Sequence, residues 1–145
     1  MHNLNLPPDH IITQTIEEAS ANPDIVLLWL YGSRAQGTAS PTSDYDFAVA
    51  FIDKLKNPLD RRLRPELMAM DWQAALQISE KGLSVVDINQ APLPLALNII
   101  SNDSKLLLNK DELRYTRELT RIWGLWSDSQ WRYDQQRIQY NKHGV

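Results

Sequence analysis

The sequence predicts a single α+β domain in which helices pack on a small mixed β-sheet. Three observations predict this class. The length of 145 residues suits one domain with its own core. Short apolar runs bounded by turn residues, typical of strands, are interspersed with segments whose apolar residues recur at helical spacing. The composition, 43% hydrophobic and 23% charged, is that of a globular protein.

Composition also excludes several classes of protein. The chain has no cysteine, so it has neither a disulfide framework nor a thiolate zinc site. No stretch reaches the roughly 18 apolar residues that a membrane helix needs, and residues 1–8 lack the pattern of a signal peptide. Proteins that bind nucleic acid usually carry a basic face that neutralises phosphates, so the net charge of −3 does not favour nucleic acid as the main partner. We therefore expect a cytoplasmic protein that does not contact membranes.

The first elements are a helix and a buried strand. Pro7-Pro8-Asp9 suits a first helical turn, and Asn22-Pro23-Asp24 ends the helix. Its apolar stripe consists of Ile11, Ile12, Ile16 and Ala19. Residues 25–31 are continuously apolar, which is typical of a strand buried on both faces. Gly32 ends this strand, and residues 37–43 form a surface loop.

A second strand begins at Asp44, where large and small side chains alternate. One face carries Tyr45, Phe47, Val49 and Phe51, and the other carries Asp44, Asp46, Ala48 and Ala50. The second face therefore combines two carboxylates with small residues.

The remaining elements follow from spacing and turn residues. We predict helices over 65–78 and 92–100 and strands over 83–88 and 105–108, with 54–64 as an extra turn or loop. A helix over 111–126, a break at Ser127-Asp128-Ser129 and a second helix to Tyr140 complete the chain. Residues 1–110 would form the main body of the domain and 111–145 its C-terminal helical extension.

The chemistry-bearing motif is Gly32-Ser33, ten residues, then Asp44-x-Asp46. Strand geometry places the Cα atoms of Asp44 and Asp46 about 7 Å apart on one face. Two carboxylates at that separation can share hard cations. The Gly32-Ser33 turn can hold phosphates through its N–H groups and the serine hydroxyl. Arg34 is placed to add a charge-assisted contact to them.

Asp87 is a candidate third carboxylate. It lies in the predicted strand 83–88, where an acidic side chain is unusual unless it is paired or binds a metal. If this strand lies beside the Asp44-Asp46 strand, Asp87 can complete a three-carboxylate cluster. The alternative is an aspartate at a strand end that accepts a hydrogen bond from a nearby backbone N–H.

Two further groups of residues have alternative interpretations. Lys54, Lys56, Arg61, Arg62 and Arg64 form either a solvated basic face or a contact for phosphates or an acidic partner. The C-terminal region forms a packed stripe, a partner surface or a base-stacking surface. The packed stripe would consist of Leu119, Ile122, Trp123 and Trp126. The aromatic side chains that could instead face a partner or stack on bases are Trp123, Trp126, Trp131, Tyr133 and Tyr140. Trp29 and Trp72 are expected in the core.

Residues 30–37 (Leu-Tyr-Gly-Ser-Arg-Ala-Gln-Gly) and 43–46 (Ser-Asp-Tyr-Asp) together resemble the signature of the DNA polymerase β-like nucleotidyltransferase superfamily. More narrowly, the chain resembles the minimal nucleotidyltransferases (MNT), and among them the MntA-type antitoxins paired with HEPN toxins. The resemblance implies a polymerase β-like fold with residues 1–110 as the catalytic domain.

The resemblance also implies a reaction. AMP would move from ATP to a tyrosine hydroxyl of a HEPN ribonuclease toxin encoded nearby, and pyrophosphate would be released. Two Mg²⁺ ions would be held by Asp44 and Asp46, with Asp87 as a third ligand or base. Gly32, Ser33 and Arg34 would bind the nucleotide. Two alternatives stay open: an antitoxin that neutralises its partner by binding alone, and a transferase acting on a small molecule or an RNA end.

Overall fold

The computed structural model describes residues 9–142, which form a four-stranded sheet with helices on both faces. The α-helices are α1 (His10–Ala21), α2 (Ser33–Gln36), α3 (Pro58–Leu76), α4 (Leu93–Ile100) and α5 (Glu112–Lys142). The strands are β1 (Ile25–Tyr31), β2 (Tyr45–Phe51), β3 (Leu83–Asp87) and β4 (Lys105–Asn109). The predicted α+β class is confirmed. The expected first turn at Pro7-Pro8 lies outside the described residues.

The sheet is mixed, with strand order β3-β2-β1-β4. Strand β1 is antiparallel to both β2 and β4, whereas β2 and β3 are parallel and are joined through α3. All seven residues of β1 are buried, as the continuous apolar run predicts. In residues 9–142 we find no helix whose length and hydropathy suit a membrane span.

The alternation in β2 divides the core into two layers. Tyr45, Phe47, Val49 and Phe51 pack with residues of α1 and α3, including the buried Trp72. On the other face, Ala48 and Ala50 are fully buried against Ile99 of α4 and Ile122 of α5. Small residues on this face allow these helices to approach the sheet closely. Trp29 lies in the same layer, so both tryptophans predicted in the core are found there.

Helix α3 begins at Pro58, seven residues before the predicted start at Pro65. The Asn57 side chain caps it by accepting hydrogen bonds from the N–H groups of Leu59 and Asp60. Pro58 occupies the first turn, where a missing N–H costs nothing. Pro65 lies inside the helix and is buried, so its packing offsets the lost backbone hydrogen bond. The expectation of a loop over 54–64 is therefore wrong for residues 58–64.

Helix α5 is continuous over 31 residues, so the predicted break at Ser127-Asp128-Ser129 does not occur. Asp128 instead pairs with Arg132 one turn later, at 2.9 Å. The predicted packed stripe holds for Ile122, which is fully buried. Trp123 and Trp126 are 48% and 40% exposed, respectively.

Candidate active site

Pairing of β1 with β2 brings the two halves of the motif into contact. Tyr31 lies opposite Asp46, and Gly32 follows at the end of β1. A Cβ atom at Gly32 would lie only 2.5 Å from Oδ2 of Asp46. Gly32 also has φ +76° and ψ −160°, a conformation essentially restricted to glycine. Glycine is therefore required here both by its conformation and by the closeness of the Asp46 carboxylate.

The turn after Gly32 leaves backbone donors at the site. Helix α2 is a single turn, and its first hydrogen bonds are donated by Ala35 and Gln36 to the Gly32 carbonyl, each at 3.1 Å. The N–H groups of Ser33 and Arg34 precede these bonds, as expected at a helix start. Ser33 and Arg34 directly follow Gly32 in the sequence, so their N–H groups lie next to the Gly32–Asp46 contact.

The surroundings of Asp46 disfavour the ionised form of its carboxyl group. Asp46 is half-buried, and burial raises its pKa; a hydrogen bond from Ser84 Oγ to Oδ1 (3.0 Å) opposes this, and the neighbouring Asp44 raises it again. Burial, then Asp46 and Asp44, raise the pKa of Tyr31 to about 12. No Lys or Arg in the described residues pairs with either aspartate. The carboxylates of Asp44 and Asp46 are oxygen ligands of the kind that Mg²⁺ prefers, so these two side chains fit the predicted metal.

Asp87 does not join this pair. In the parallel register Asp46 lies beside Ser84, whereas Asp87 lies beside Val49, three residues further along. That offset amounts to about 10 Å and places Asp87 on the opposite face of the sheet. The described residues contain no group of three potential metal-binding side chains of the His, Cys, Asp or Glu type. The expected three-carboxylate cluster is therefore not formed, because the register offers Ser84 at the required position.

Asp87 instead has the contacts of the alternative interpretation. Its Oδ1 accepts a hydrogen bond from the backbone N–H of Asn89 at 2.9 Å. The pKa of Asp87 is raised above its ordinary value, mainly because the carboxyl is buried. The hydrogen bond from Asn89 and the charges of Arg64 and Arg114 oppose this shift. Ser84, which the sequence analysis did not single out, is the residue of β3 that contacts Asp46. Only the strand register, which the sequence does not reveal, identifies it.

Arg34 contacts the loop between β1 and β2. Its Nε and Nη2 donate to the carbonyl of Ser43 at 3.2 and 2.6 Å, and Nη2 also lies 3.3 Å from the carbonyl of Pro41. The guanidinium stacks over the Tyr45 ring, 4.2 Å from its centre. These bonds hold the segment just before Asp44 in place, and the phosphate contact of Arg34 stays a prediction.

Three solved toxin–antitoxin structures contain a chain with a similar fold. One is a toxin–antitoxin crystal structure with AMP-PNP: 21% identity, TM-score 0.64, covering 93% of this chain and 98% of that one. The second holds the tri-AMPylated Shewanella oneidensis HEPN toxin in complex with MNT antitoxin: 18% identity, TM-score 0.64, covering 95% and 100%. The third is an MntA–HpeT mutant: 21% identity, TM-score 0.63, covering 96% and 100%. At these identities the likeness shows the fold.

The sequence itself shows the family. No curated protein matches the chain. The model of the family described as polymerase beta, nucleotidyltransferase, matches residues 13–113, which is more than half of the chain and includes the Gly32-Ser33 turn and both Asp44 and Asp46. This chain therefore belongs to the polymerase β nucleotidyltransferase family.

Proposed function

We propose that the protein transfers AMP from ATP to a tyrosine hydroxyl of a HEPN-type toxin and so acts as its antitoxin. The observation that carries this proposal is the contact between Gly32 and Asp46, which places a phosphate-binding type of turn directly against a carboxylate pair. Family membership supports the reaction class, and the likeness to MNT chains in toxin complexes supports the kind of partner. The cytoplasm remains the predicted compartment.

Each residue of the motif has a proposed role. The N–H groups of Ser33 and Arg34 and the Ser33 hydroxyl hold the terminal phosphates of ATP. Asp44 and Asp46 hold two Mg²⁺ ions, which would neutralise the charge of the triphosphate and of the departing pyrophosphate. Arg34 fixes the loop before Asp44, and Ser84 orients the Asp46 carboxylate through its hydrogen bond.

The reaction forms one P–O bond and breaks one P–O bond and one O–H bond. The acceptor oxygen attacks the α-phosphorus of ATP, and the bond from that phosphorus to the oxygen shared with the β-phosphate breaks. Pyrophosphate leaves with that oxygen, and the acceptor proton passes to solvent water. A phenol has a pKa of about 10 and loses its proton far more readily than water does. A tyrosine acceptor therefore suits a site in which Asp87 is not available as a base. Asp44 is exposed, so an acceptor on another protein can reach the pair.

Intact-mass spectrometry tests this proposal directly. The full chain is incubated with ATP, Mg²⁺ and the HEPN-type protein encoded beside it, and the mass of each protein is measured. AMP-sized increments on the partner, absent with the Asp44→Asn/Asp46→Asn variant, are expected. A stable complex without any increment would contradict transfer to this partner.

A second candidate is an antitoxin that acts by binding alone. The exposed aromatic side chains of α5 favour it, since large exposed apolar groups are frequent at partner surfaces. They are Trp123, Trp126, Trp131, Tyr133 and Tyr140. Toxin inhibition that persists with EDTA and without ATP would support binding alone, whereas inhibition that requires both Mg²⁺ and ATP would support transfer.

A further inference from the structure

A second concave site lies at the opposite end of the sheet from the Gly32–Asp46 contact. Its volume is about 860 Å³, within the usual range of small-molecule pockets. The end of β2, the loop after it, the first turns of α3, the end of β3 and one side of α5 form its walls. Along β2, Asp46 of the first site and Phe51 of the pocket are five residues, or about 17 Å, apart.

The lining of this pocket is strongly basic, although the chain as a whole has a net charge of −3. Six cationic side chains contribute: Lys54, Arg61, Arg62, Arg64, Arg114 and Arg121. Three acidic side chains, Asp53, Asp87 and Glu118, also line it, so the formal charge is 6 − 3 = +3. In residues 9–142, Lys54, Arg61 and Arg62 belong to no ion pair. The excess positive charge is thus concentrated on the loop after β2 and the start of α3.

Uncharged acceptors, three backbone carbonyls and one side-chain amide, help to hold three of these arginines in place. Arg114 donates to the carbonyl of Phe51 (2.8 Å) and to Oδ1 of Asn89 (2.7 Å). Arg121 donates to the carbonyl of Ile88 at 3.2 Å, and Arg61 to that of Leu55 at 3.0 Å. Arginines fixed in this way lose less conformational entropy when they bind a ligand.

Glu118 and Arg64 complete the arrangement. Glu118 is buried and accepts hydrogen bonds from Arg114, Arg121 and Asn89, which joins α5 to the end of β3. Arg64 stacks on the Phe51 ring at 3.8 Å and pairs with Asp53 at 2.9 Å. Within the described part of the chain, its Nε is buried and donates to no acceptor. The pocket therefore has more donor capacity than its own acceptors use.

We propose that this pocket binds a small ligand with two or more linked phosphate groups, such as pyrophosphate or a nucleoside polyphosphate. Guanidinium groups match phosphate oxygens in pairs, and a formal charge of +3 suits more than one phosphate. The site is concave and confined to one end of the sheet, which favours a small molecule over a polynucleotide lying along the surface. This ligand site is distinct from the proposed active site and does not depend on it.

Calorimetric titration of the full-length protein with sodium pyrophosphate in EDTA tests the proposal. The variant Lys54→Glu/Arg62→Glu changes two exposed pocket cations. Its matched control is Lys81→Glu/Arg117→Glu, which makes the same change in net charge at exposed residues outside the pocket. We expect the pocket variant to bind pyrophosphate at least about tenfold more weakly and the control to stay within about twofold of the wild type. Thermal melting of both variants verifies that they are folded.

Further titrations identify the site and the source of the phosphates. Asp44→Asn/Asp46→Asn should retain pyrophosphate binding; loss of binding in this variant would place the ligand at the other end of the sheet and overturn the proposal. Equal loss in the pocket variant and its control would indicate a general charge effect and would also overturn it. Comparable affinity for ATP and pyrophosphate would support recognition of the phosphates, and tighter ATP binding would identify a nucleotide. Binding of single-stranded RNA only, or no pyrophosphate binding up to about 5 mM, would refute it.

Discussion

The two ends of β2 differ in charge and in how the chain builds them. At the N-terminal end, two carboxylates and a glycine turn come from one hairpin, residues 32–46. At the C-terminal end, basic side chains come from residues 54–64 and from Arg114 and Arg121 of α5, fifty or more residues later. The first end needs only strand pairing, whereas the second needs the tertiary arrangement of α3 and α5. The five predictions below test whether this division between a local and an assembled site is correct.

The largest effect is expected at the carboxylate pair. Asp44→Asn/Asp46→Asn should reduce AMP transfer by about a thousandfold or more, because the ligands of the metal ions are lost. Thermal stability should stay equal or rise, since burial already disfavours ionised Asp46. Transfer rates and melting temperatures of both proteins measure this. Asp24→Asn is the control, since this exposed aspartate lies just before β1 and so at the opposite end of that strand from Gly32. Transfer by the double variant at the wild-type rate would refute the metal site.

At the arginine end, the largest effect is expected on stability. Glu118→Gln should reduce the free energy of unfolding by about 2 kcal/mol, less than for a fully buried pair because Arg114 and Arg121 are partly exposed. The exposed Asp128–Arg132 pair has the same spacing as Arg114–Glu118, so Asp128→Asn is the control and should cost under about 1 kcal/mol. Urea unfolding measures both values, and equal costs would show that the Glu118 network is not a structural support.

The contribution of Glu118 should also depend on pH. Burial opposes its ionisation, but hydrogen bonds from Asn89, Arg114 and Arg121 lower its pKa below the ordinary 4.5. A lowered pKa in the folded state stabilises the fold above pH 4.5, and this stabilisation is lost as pH falls through the folded-state value. The difference between wild type and Glu118→Gln should therefore shrink in acid. A difference that is constant down to pH 3 would contradict the assignment.

Gly32→Ala should have an intermediate effect, because it combines backbone strain with crowding of Asp46. The added Cβ meets Asp46, so the carboxylate must move, and the backbone conformation costs about 1–3 kcal/mol. Gly37→Ala is the comparison variant: Gly37 has the same φ of +76°, but its ψ of 15° is the milder left-handed helical conformation, and nothing lies within 4 Å of the added atom. We expect Gly32→Ala to lower the transfer rate at least about tenfold more than Gly37→Ala. Equal rates would mean that the contact with Asp46 is unimportant for transfer.

The smallest effect is expected from Ser84→Ala. The Ser84 hydrogen bond lowers the pKa of Asp46, so its removal should raise that pKa further. Because Asp46 must be ionised to bind a cation, the acid limb of the pH–rate profile should move to higher pH, with little change at high pH. Transfer rates across pH at fixed Mg²⁺ measure the shift, with Ser79→Ala as control. An unchanged profile would show that Ser84 does not tune Asp46.

The sequence predicts most of the carboxylate end of β2, which is built from one hairpin, and little of the arginine end, which depends on tertiary packing. The hairpin, the alternation in β2 and the Gly32-Ser33 turn follow from periods of two residues and from glycine chemistry, which are local properties. The position of Asp87 depends on the β2–β3 register, and a parallel pair joined by α3 leaves that register unspecified in the sequence. The convergence of Arg114 and Arg121 on Arg61 depends on where α5 packs. Helix α3 starts before the predicted residue because packing of the buried Pro65 outweighs the tendency of proline to interrupt a helix.

Strand order has a consequence for how the molecule forms. The β1–β2 hairpin closes over a connection of 13 residues, whereas β1 reaches its other neighbour, β4, only after about 75 intervening residues. Local pairings form before distant ones, since loop closure costs more entropy as the loop lengthens. We expect the turn and both carboxylates to come together early in refolding, before the sheet acquires its β4 edge. During synthesis, the end of the sheet that carries Asp44 and Asp46 would then be in place while the last helix is still being made.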